Sequence, residues 1–521
     1  MSVTAKASLS NDESGLPTLT STQCGVLLFS ILIVALCGIV YELIIGAVSS
    51  YLLGNSVYQF SMTIGFFMFA MGVGSLLSKY FDDQYIRNFI VVEIVVALVG
   101  GISSVILFMA FPFARHIYEF CMYGLILIIG ALVGMEIPIL ATILSKRASI
   151  KESLANVMSL DYLGALLGSV GFPLLLLPSL GLVRSSFAIG LINIFVALLN
   201  VVIFRDRLKH YRLMLSACIL ILLALVSSVV FGALISSFAE KHLYFDQVIY
   251  SEQTPYQKLV LTRSAATGEH RLYIDGHIQF ASRDEHRYHE YLVHPVMSVL
   301  PAPKKILVLG GGDGLAAREI LKYPDVESIH LVDIDPEIVR ISKELPMLER
   351  LNQGSLNSER LTHFSEDAFT FINKPGMIYD RVIIDMPDPH NEAINKLYSK
   401  EFYTMISKRM AKGGVLVTQS SSPFFTRRTY WCIEKTLAAV FSETLSYQTA
   451  LPSFGIWGFH MATKDSALPK TFTLTVDTRA ITDESLLASM VFTKDMGRIP
   501  SPVNSIMEPE LYQLYIEDLS Q

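Results

Sequence analysis

The sequence is short of cysteine, tryptophan and charge. Its 521 residues hold five cysteines and two tryptophans. No two cysteines form a CxxC pair, which argues against a disulfide framework and against a zinc site. Cys24, Cys37, Cys121 and Cys218 lie in or beside apolar runs, where a thiol serves as a small apolar filler. Charged residues make up only 17%, with 41 Lys and Arg against 47 Asp and Glu, a net of −6. A chain without a basic excess lacks the surface that a phosphate backbone needs, so nucleic acid is not an expected partner. The shortage is uneven. Residues 1–240 carry 12 basic and 12 acidic side chains, and residues 241–521 carry 29 and 35.

The charge-poor part is occupied by long apolar stretches. Residues 1–23 are polar, lack the basic start and cleavage site of a signal peptide, and read as a loose tail. Seven stretches follow, at 24–49, 57–80, 88–111, 117–145, 156–179, 183–204 and 213–238. Each is near or above the ~20 residues that cross a bilayer as a helix, so residues 24–238 read as a transmembrane helical bundle. Pairs such as Gly130–Gly134 and Gly164–Gly168 put small residues on one helix face, where a neighbouring backbone can come close. Four acids, Glu42, Glu93, Glu136 and Asp161, fall inside the stretches, whose interiors contain no Lys or Arg. An acid in a bilayer is costly and faces a cavity or the bundle interior; it is either a cation site or a protonated or hydrogen-bonded group. Nine basic residues (Lys79, Arg87, Lys146, Arg147, Lys151, Arg205, Arg207, Lys209 and Arg212) follow the second, fourth and sixth stretches, while Arg115 and Arg184 alone follow the first, third and fifth. The excess places the even loops in the cytoplasm and, with seven crossings, the C-terminal part outside.

The remainder changes character. Residues 239–290 alternate polar and apolar side chains, as in "YQKLVLTR" and "EHRLYIDGHIQF", with a turn at Thr267–Gly268, which predicts a small antiparallel β domain. Residues 291–521 repeat strand, turn and helix, which predicts an α/β doubly wound, Rossmann-like domain of the methyltransferase type with a C-terminal extension. In such a sheet, ligands sit at the carboxyl ends of the strands. The acids of "ILVLGGGDG", "HLVDID" and "VIIDMPDPH" fall there. The glycines of 310–312 permit a tight turn against a ligand. Asp333, some twenty residues on, suits a ribose hydroxyl pair. Asp313 sits where a pyrophosphate would otherwise approach; its charge repels phosphate and attracts a cation, which favours an S-adenosyl compound over a dinucleotide. Asp367 and Ala368 follow a short strand and offer an adenine contact or, for Asp367, a helix N-cap. Asp385 and Asp388 end another strand; they suit a diamine, or cap a loop.

These residues resemble a family. In order, "TPYQKLVL", "YIDGHIQFASRDEHRYHE", "GGGDGLAAREILKYPDVESI", "VDID", "EDA", "DMPDP" and "WGF" make residues 245–515 similar to the polyamine aminopropyltransferases, the spermidine synthase family. The apolar half resembles the multi-pass extension of some bacterial members. The resemblance implies transfer of an aminopropyl group from decarboxylated S-adenosylmethionine, a co-substrate, to putrescine or a similar amine, giving spermidine and methylthioadenosine. It implies no metal and no tightly bound cofactor. It assigns Asp385 as the catalytic base. Gln257, Asp333, Asp367 and Ala368 would hold the nucleoside, and Tyr288, His289, Asp313 and Asp388 the amines. A homodimer in the cell (inner) membrane follows from the same likeness. Substrate supply places the catalytic domain in the cytoplasm, against the basic-loop count. Met386 and Pro387 between the acids, His390, Asn391 and Glu392 after them, and Leu451 where the family carries a tyrosine depart from the pattern. Two alternatives stand beside this reading. One is a polyamine transporter or sensor working through the acid-containing bundle; the other is an S-adenosylmethionine methyltransferase on the same fold.

Overall fold

A computed structural model describes residues 19–53, 56–81, 84–111, 115–145, 149–232 and 243–520. Most of the polar tail, Lys146, Arg147 and the end of the seventh apolar stretch lie outside the described residues. Contacts divide the chain into two compact units, residues 1–243 and 244–521.

The first unit is helical: α1 (Ser21–Leu53), α2 (Ser56–Leu77), α3 (Tyr85–Ala110), α4 (Arg115–Ser145), α5 (Ile150–Gly171), α6 (Leu177–Ile203) and α7 (Tyr211–Val230). Among the described residues, six helical stretches are long and apolar enough to cross a membrane, because α5 and α6 join through a π-helical turn at Phe172–Leu176 into one run of 54 residues. At 1.5 Å per residue a straight helix of that length would reach ~81 Å, far more than the ~30 Å of a hydrocarbon core. Gly181 breaks it, with φ 70° and ψ −179°.

Named contacts show that α6 folds back. Going up α1, Leu32 and Ala35 meet Gly164, then Leu36 and Ile39 meet Gly168, so α1 and α5 run the same way. On the other flank Asn200 Nδ2 donates to Ser30 Oγ (2.7 Å), while Cys37 reaches the Ile189 carbonyl, so α6 runs oppositely. Similarly, Phe67 faces Gly130 and Met71 faces Gly134, making α2 and α4 codirectional, while Ser104–Ser186 and Asn193–Glu93 set α3 against α6. Ser49 beside Tyr118 and Gly38 beside Val133 oppose α4 to α1. The directions alternate from α1 to α6. The glycines matter as spacing: a Cβ at 130 would stand 2.9 Å from the Phe67 carbonyl oxygen, and one at 168 would stand 2.8 Å from that of Leu36. Glu42, Glu93 and Glu136 are buried and Asp161 is half-buried.

The second unit begins with a four-stranded antiparallel sheet of β1 (Gln247–Gln253), β2 (Lys258–Arg263), β3 (His270–Ile274) and β4 (His277–Ala281). A helix, Glu285–Met297, then leads into a seven-stranded sheet. It starts inside the segment read from sequence as β, because "DEHRYHEYLVHPVM" carries its apolar residues at helical spacing. The large sheet contains β5 (Lys305–Gly310), β6 (Ser328–Asp333), β7 (Leu361–Ser365), β8 (Tyr379–Asp385), β9 (Met410–Gln419), β10 (Glu443–Leu451) and β11 (Gly455–Thr463) in the order β10-β11-β9-β8-β5-β6-β7. Strands β9, β8, β5, β6 and β7 are parallel; β11 and β10 join antiparallel. Side chains alternate between two cores. Ile306, Val308, Ile383, Val415 and Val417 face one core, and Leu307, Leu309, Val382, Ile384 and Leu416 face the other. Each fully buried aliphatic side chain contributes roughly 1.5–3 kcal/mol, and burial on both faces is what makes these strands read as continuous apolar runs. Strand order reverses at β5, which has β6 on one side and β8 on the other, and that switch point fixes where a crevice opens.

Candidate active site

The register of β5 with β8 places Gly310 opposite Asp385. The chain then makes its glycine turn in the narrow space between Asp385 and Asp333. Gly310 and Gly311 have φ of 82° and 69°, which a residue with a Cβ rarely adopts. A Cβ at 310 would run into the Asp385 carbonyl, and one at 312 would lie 2.6 Å from Asp333 Oδ2. The triple glycine is therefore needed to bring three strand ends together around one cavity of about 510 Å³. All nine residues singled out in the sequence line it: Asp385; Gln257, Asp333, Asp367 and Ala368; Tyr288, His289, Asp313 and Asp388.

The acids are held differently. Asp385 Oδ1 accepts from Tyr288 Oη at 2.7 Å. Burial raises its pKa, and the charged His289 ring and the Tyr288 hydroxyl pull it back in part. Asp333 accepts from Gly312 N and Asp335 N, both at 3.0 Å, one on each oxygen, and burial lifts it to about 6. Asp313 accepts from Leu315 N at 2.9 Å and is likewise raised by burial to about 6. Asp388, raised by burial to about 6, receives Tyr515 Oη (3.0 Å), Ser421 Oγ (3.3 Å) and Gln419 Nε2 (3.4 Å). Four carboxyls with pKa values lifted towards neutrality in one cavity suit proton transfer and cation binding.

His289 lines the cavity with its ring tied elsewhere. Nδ1 lies 2.9 Å from Glu285 Oε2. Burial alone would lower its pKa, but the Glu285 carboxylate outweighs that and holds it at about 9. Arg318 grips both oxygens of Glu285 at 2.9 Å. The result is a positive imidazolium beside Asp313 and Asp385, which offsets their mutual repulsion. Asp367 is the helix cap that the sequence allowed, and it also lines the cavity. Its Oδ1 accepts from Phe369 N (3.1 Å) as the cap of helix Ala368–Asn373, while Oδ2 pairs with Lys396 Nζ at 2.8 Å. Gln257 stands in the wall through the loop after β1. Leu451 is buried in β10 and is not among the lining residues, whereas Phe454 and Trp457 nearby are.

Sequence reasoning missed Lys396, Gln419, Tyr398, Tyr515 and the tilted ring pair His277–His390, with centroids 4.6 Å apart. Burial lowers both imidazoles, His390 to about 4, so the pair is a neutral aromatic wall. The signals available were slight: a lone glutamine after "VLVT", and a tyrosine in a C-terminal amphipathic stretch.

The Spermine/spermidine synthase domain family matches residues 285–473. A polyamine aminopropyltransferase of Leptospira interrogans is 42% identical over 490 residues, covering 94% of this chain and 97% of its own. The chain belongs to the polyamine aminopropyltransferase family. A second member, from Oceanobacillus iheyensis, is 39% identical over 499 residues, or 95% and 97% of the two chains. The coverage takes in the helical unit as well as the catalytic one. Among solved structures, a spermidine synthase in complex with the transition state analogue AdoDATO is 26% identical over 47% of this chain and 85% of its own, with a TM-score of 0.44. The protein is thus an aminopropyltransferase.

Proposed function

We propose that this aminopropyltransferase is bound to the cell membrane by its helical unit and makes spermidine from putrescine. The single observation that carries the reading is the convergence of Asp313, Asp385 and Asp388 on one cavity beside the glycine turn. The attacking nitrogen must be neutral, yet a free diamine is protonated at pH 7. Asp385, with its raised pKa, accepts a proton as the nitrogen attacks the carbon attached to the sulfonium. The C–S bond breaks, its electron pair returns to sulfur, and neutral methylthioadenosine leaves. Asp388 holds the amine, Asp313 holds the aminopropyl ammonium, and Asp333 receives the ribose. Fixing both partners in line removes much of the entropic barrier. Asp313 favours a cationic sulfonium with a free amine over a carboxylated cofactor, which sets this reading above methyl transfer.

Membrane attachment is supported by the length and apolar character of the helices and by their alternating directions. We place the catalytic unit on the cytoplasmic side because its nucleoside and diamine substrates are made there. The basic-loop count points the other way, and reporter fusions after residue 520, active only on one side of the membrane, measure it directly. The test of the reaction is product analysis by mass spectrometry. Purified protein is given decarboxylated S-adenosylmethionine with putrescine, cadaverine or spermidine in turn. Putrescine is expected to give spermidine fastest, and a faster product from either competitor would displace it as the acceptor.

A further inference from the structure

Among the acids of the cavity, Asp388 receives the most side-chain donors, and one of them comes from far away. Gln419 ends β9, and Ser421, two residues beyond it, takes a left-handed φ of 63° with its hydroxyl on Oδ2. A non-glycine residue held at positive φ beside a pocket acid marks a constrained site. Tyr515 arrives on the helix Glu510–Leu519, 127 residues beyond Asp388. Its ring is buried, at 6% exposure, and among the described residues its hydroxyl bonds only Asp388. The helix is clamped where it must be to deliver that hydroxyl. Arg428 Nε donates to Asp518 Oδ1 at 2.6 Å, and Tyr512 N donates to Asn395 Oδ1 at 3.1 Å. Asn395 ends the short helix that follows the Asp388 loop, so the C-terminal helix and that loop are fastened together.

Charge explains why such an arrangement is needed. The titratable groups facing Asp388 are Asp385, Tyr288, Tyr398, Tyr515 and His390, whose Nδ1 lies 2.9 Å from the Asp388 carbonyl oxygen. Burial keeps the tyrosines protonated and the histidine neutral, so none of them supplies a positive charge. A half-buried carboxylate without a cation beside it depends on neutral donors to remain ionised and to keep one orientation.

Resting on the aminopropyl-transfer reading of this cavity, we propose that Tyr515 is a positioning residue for the acceptor amine: its hydroxyl, carried in by the C-terminal helix, orients the Asp388 carboxylate and keeps it anionic so that it can bind the acceptor's ammonium end. The C-terminal helix is then part of the acceptor site rather than a passive cover.

Tyr515→Phe in the full-length protein removes one oxygen and keeps the ring. With decarboxylated S-adenosylmethionine saturating and putrescine varied, KM for the amine should rise about tenfold, the scale of one lost hydrogen bond to a charged group. Turnover should stay within about threefold and KM for the nucleoside should not move, because the loss falls on ground-state amine binding. The acidic limb of kcat/KM for the amine should move to higher pH, since a carboxyl stripped of a donor ionises later. Ser421→Ala, which removes the longer 3.3 Å donor, should shift the same quantities in the same direction by less, and it keeps the test available if Tyr515→Phe fails to fold. An unchanged amine KM and acidic limb, or equal increases in both KM values, would overturn the proposal. A wild-type protein that forms no aminopropyl product with any amine would overturn the underlying reading as well. Normal wild-type turnover with unaltered variants overturns this inference alone.

Discussion

Both units bury acids, and they treat them in opposite ways. In the catalytic unit every acid at the cavity floor has named donors. Asp333 has two backbone amides, Asp385 a phenol, and Asp388 two hydroxyls and an amide. Glu285 behind them is held by Arg318 and His289, which keep it near 2 although burial pushes it up. In the helical unit, among the described residues, both Glu93 carboxyl oxygens and Glu136 Oε1 are buried without a well-formed hydrogen bond, with each other and Asn193 as polar neighbours. A buried charge is tolerated only when hydrogen bonds or counter-charges replace water. The catalytic unit is therefore built around carboxylates as working anions, and the helical unit sets two carboxyls, Glu93 and Glu136, against each other beside Asn193.

The sharpest way to break this contrast is at Asp385. Asp385→Asn keeps the shape and the Tyr288 contact but removes the proton acceptor. Turnover should drop by about 10²–10⁴, the usual contribution of a general base, while methylthioadenosine binding by calorimetry stays within a few-fold. Full retained rate would remove Asp385 from the mechanism. The wild-type pH profile gives the same information in another form. Asp388, Asp313 and Asp333 have pKa values raised to about 6, and a protonated carboxyl neither accepts a proton nor binds ammonium. Rate at subsaturating amine should fall as pH drops through about 6; a flat profile down to pH 5 would mean that these acids are not titrating in the rate-limiting state.

Next in size is Glu285→Gln, which leaves Arg318 and the His289 ring without their shared partner. Breaking one side of a buried ion pair costs about 3–5 kcal/mol, so the catalytic unit should melt well below wild type in denaturant titrations. The sign of the pH dependence follows from His289. Its pKa is raised to about 9, so its contribution to stability is complete below the ordinary histidine value and is lost as pH rises through about 9. A wild-type protein equally stable at pH 7 and pH 10 would show that the imidazolium pair contributes nothing.

What could be read in the sequence was whatever lies close together along the chain. Gly310 to Asp313, Asp333, and Asp385 to Asp388 sit at ends of strands whose apolar runs announce a parallel sheet, and the sheet brings those ends together. The break read between the fifth and sixth apolar stretches, at 179–183, falls where Gly181 leaves the helical conformation. The donors were not legible. Tyr515 and Gln419 reach Asp388 from 127 and 31 residues away, and Lys396 reaches Asp367 from 29. No local pattern marks such partners, since an amphipathic helix needs its tyrosine for packing whether or not the hydroxyl meets an acid. His289 is the same case: its place beside Tyr288 is visible in "RYHE", while its hold on Glu285 lies one helical turn back on a face the sequence does not distinguish.

The smallest expected effect comes from the other side of the contrast. Asn193 Nδ2 donates to the Glu93 backbone carbonyl at 3.0 Å, and the Glu93 carboxyl has the Glu136 and Asn193 side chains as polar neighbours but no cation beside it among the described residues. Glu93→Gln fills the same space with a neutral group, so it should change the melting of the full-length protein in detergent by less than about 1 kcal/mol, or stabilise it, as removal of a buried acid without a counter-charge often does. Aminopropyl transfer should be unchanged. A large loss of stability would mean that Glu93 is held by something outside the described residues or by a bound cation. The two are separable, because a cation that stabilises wild type and not the variant shifts the melting curve by mass action. Flux of labelled polyamine in reconstituted vesicles that disappears in the variant would make these acids a path, and the two units would then share one cationic ligand by opposite designs.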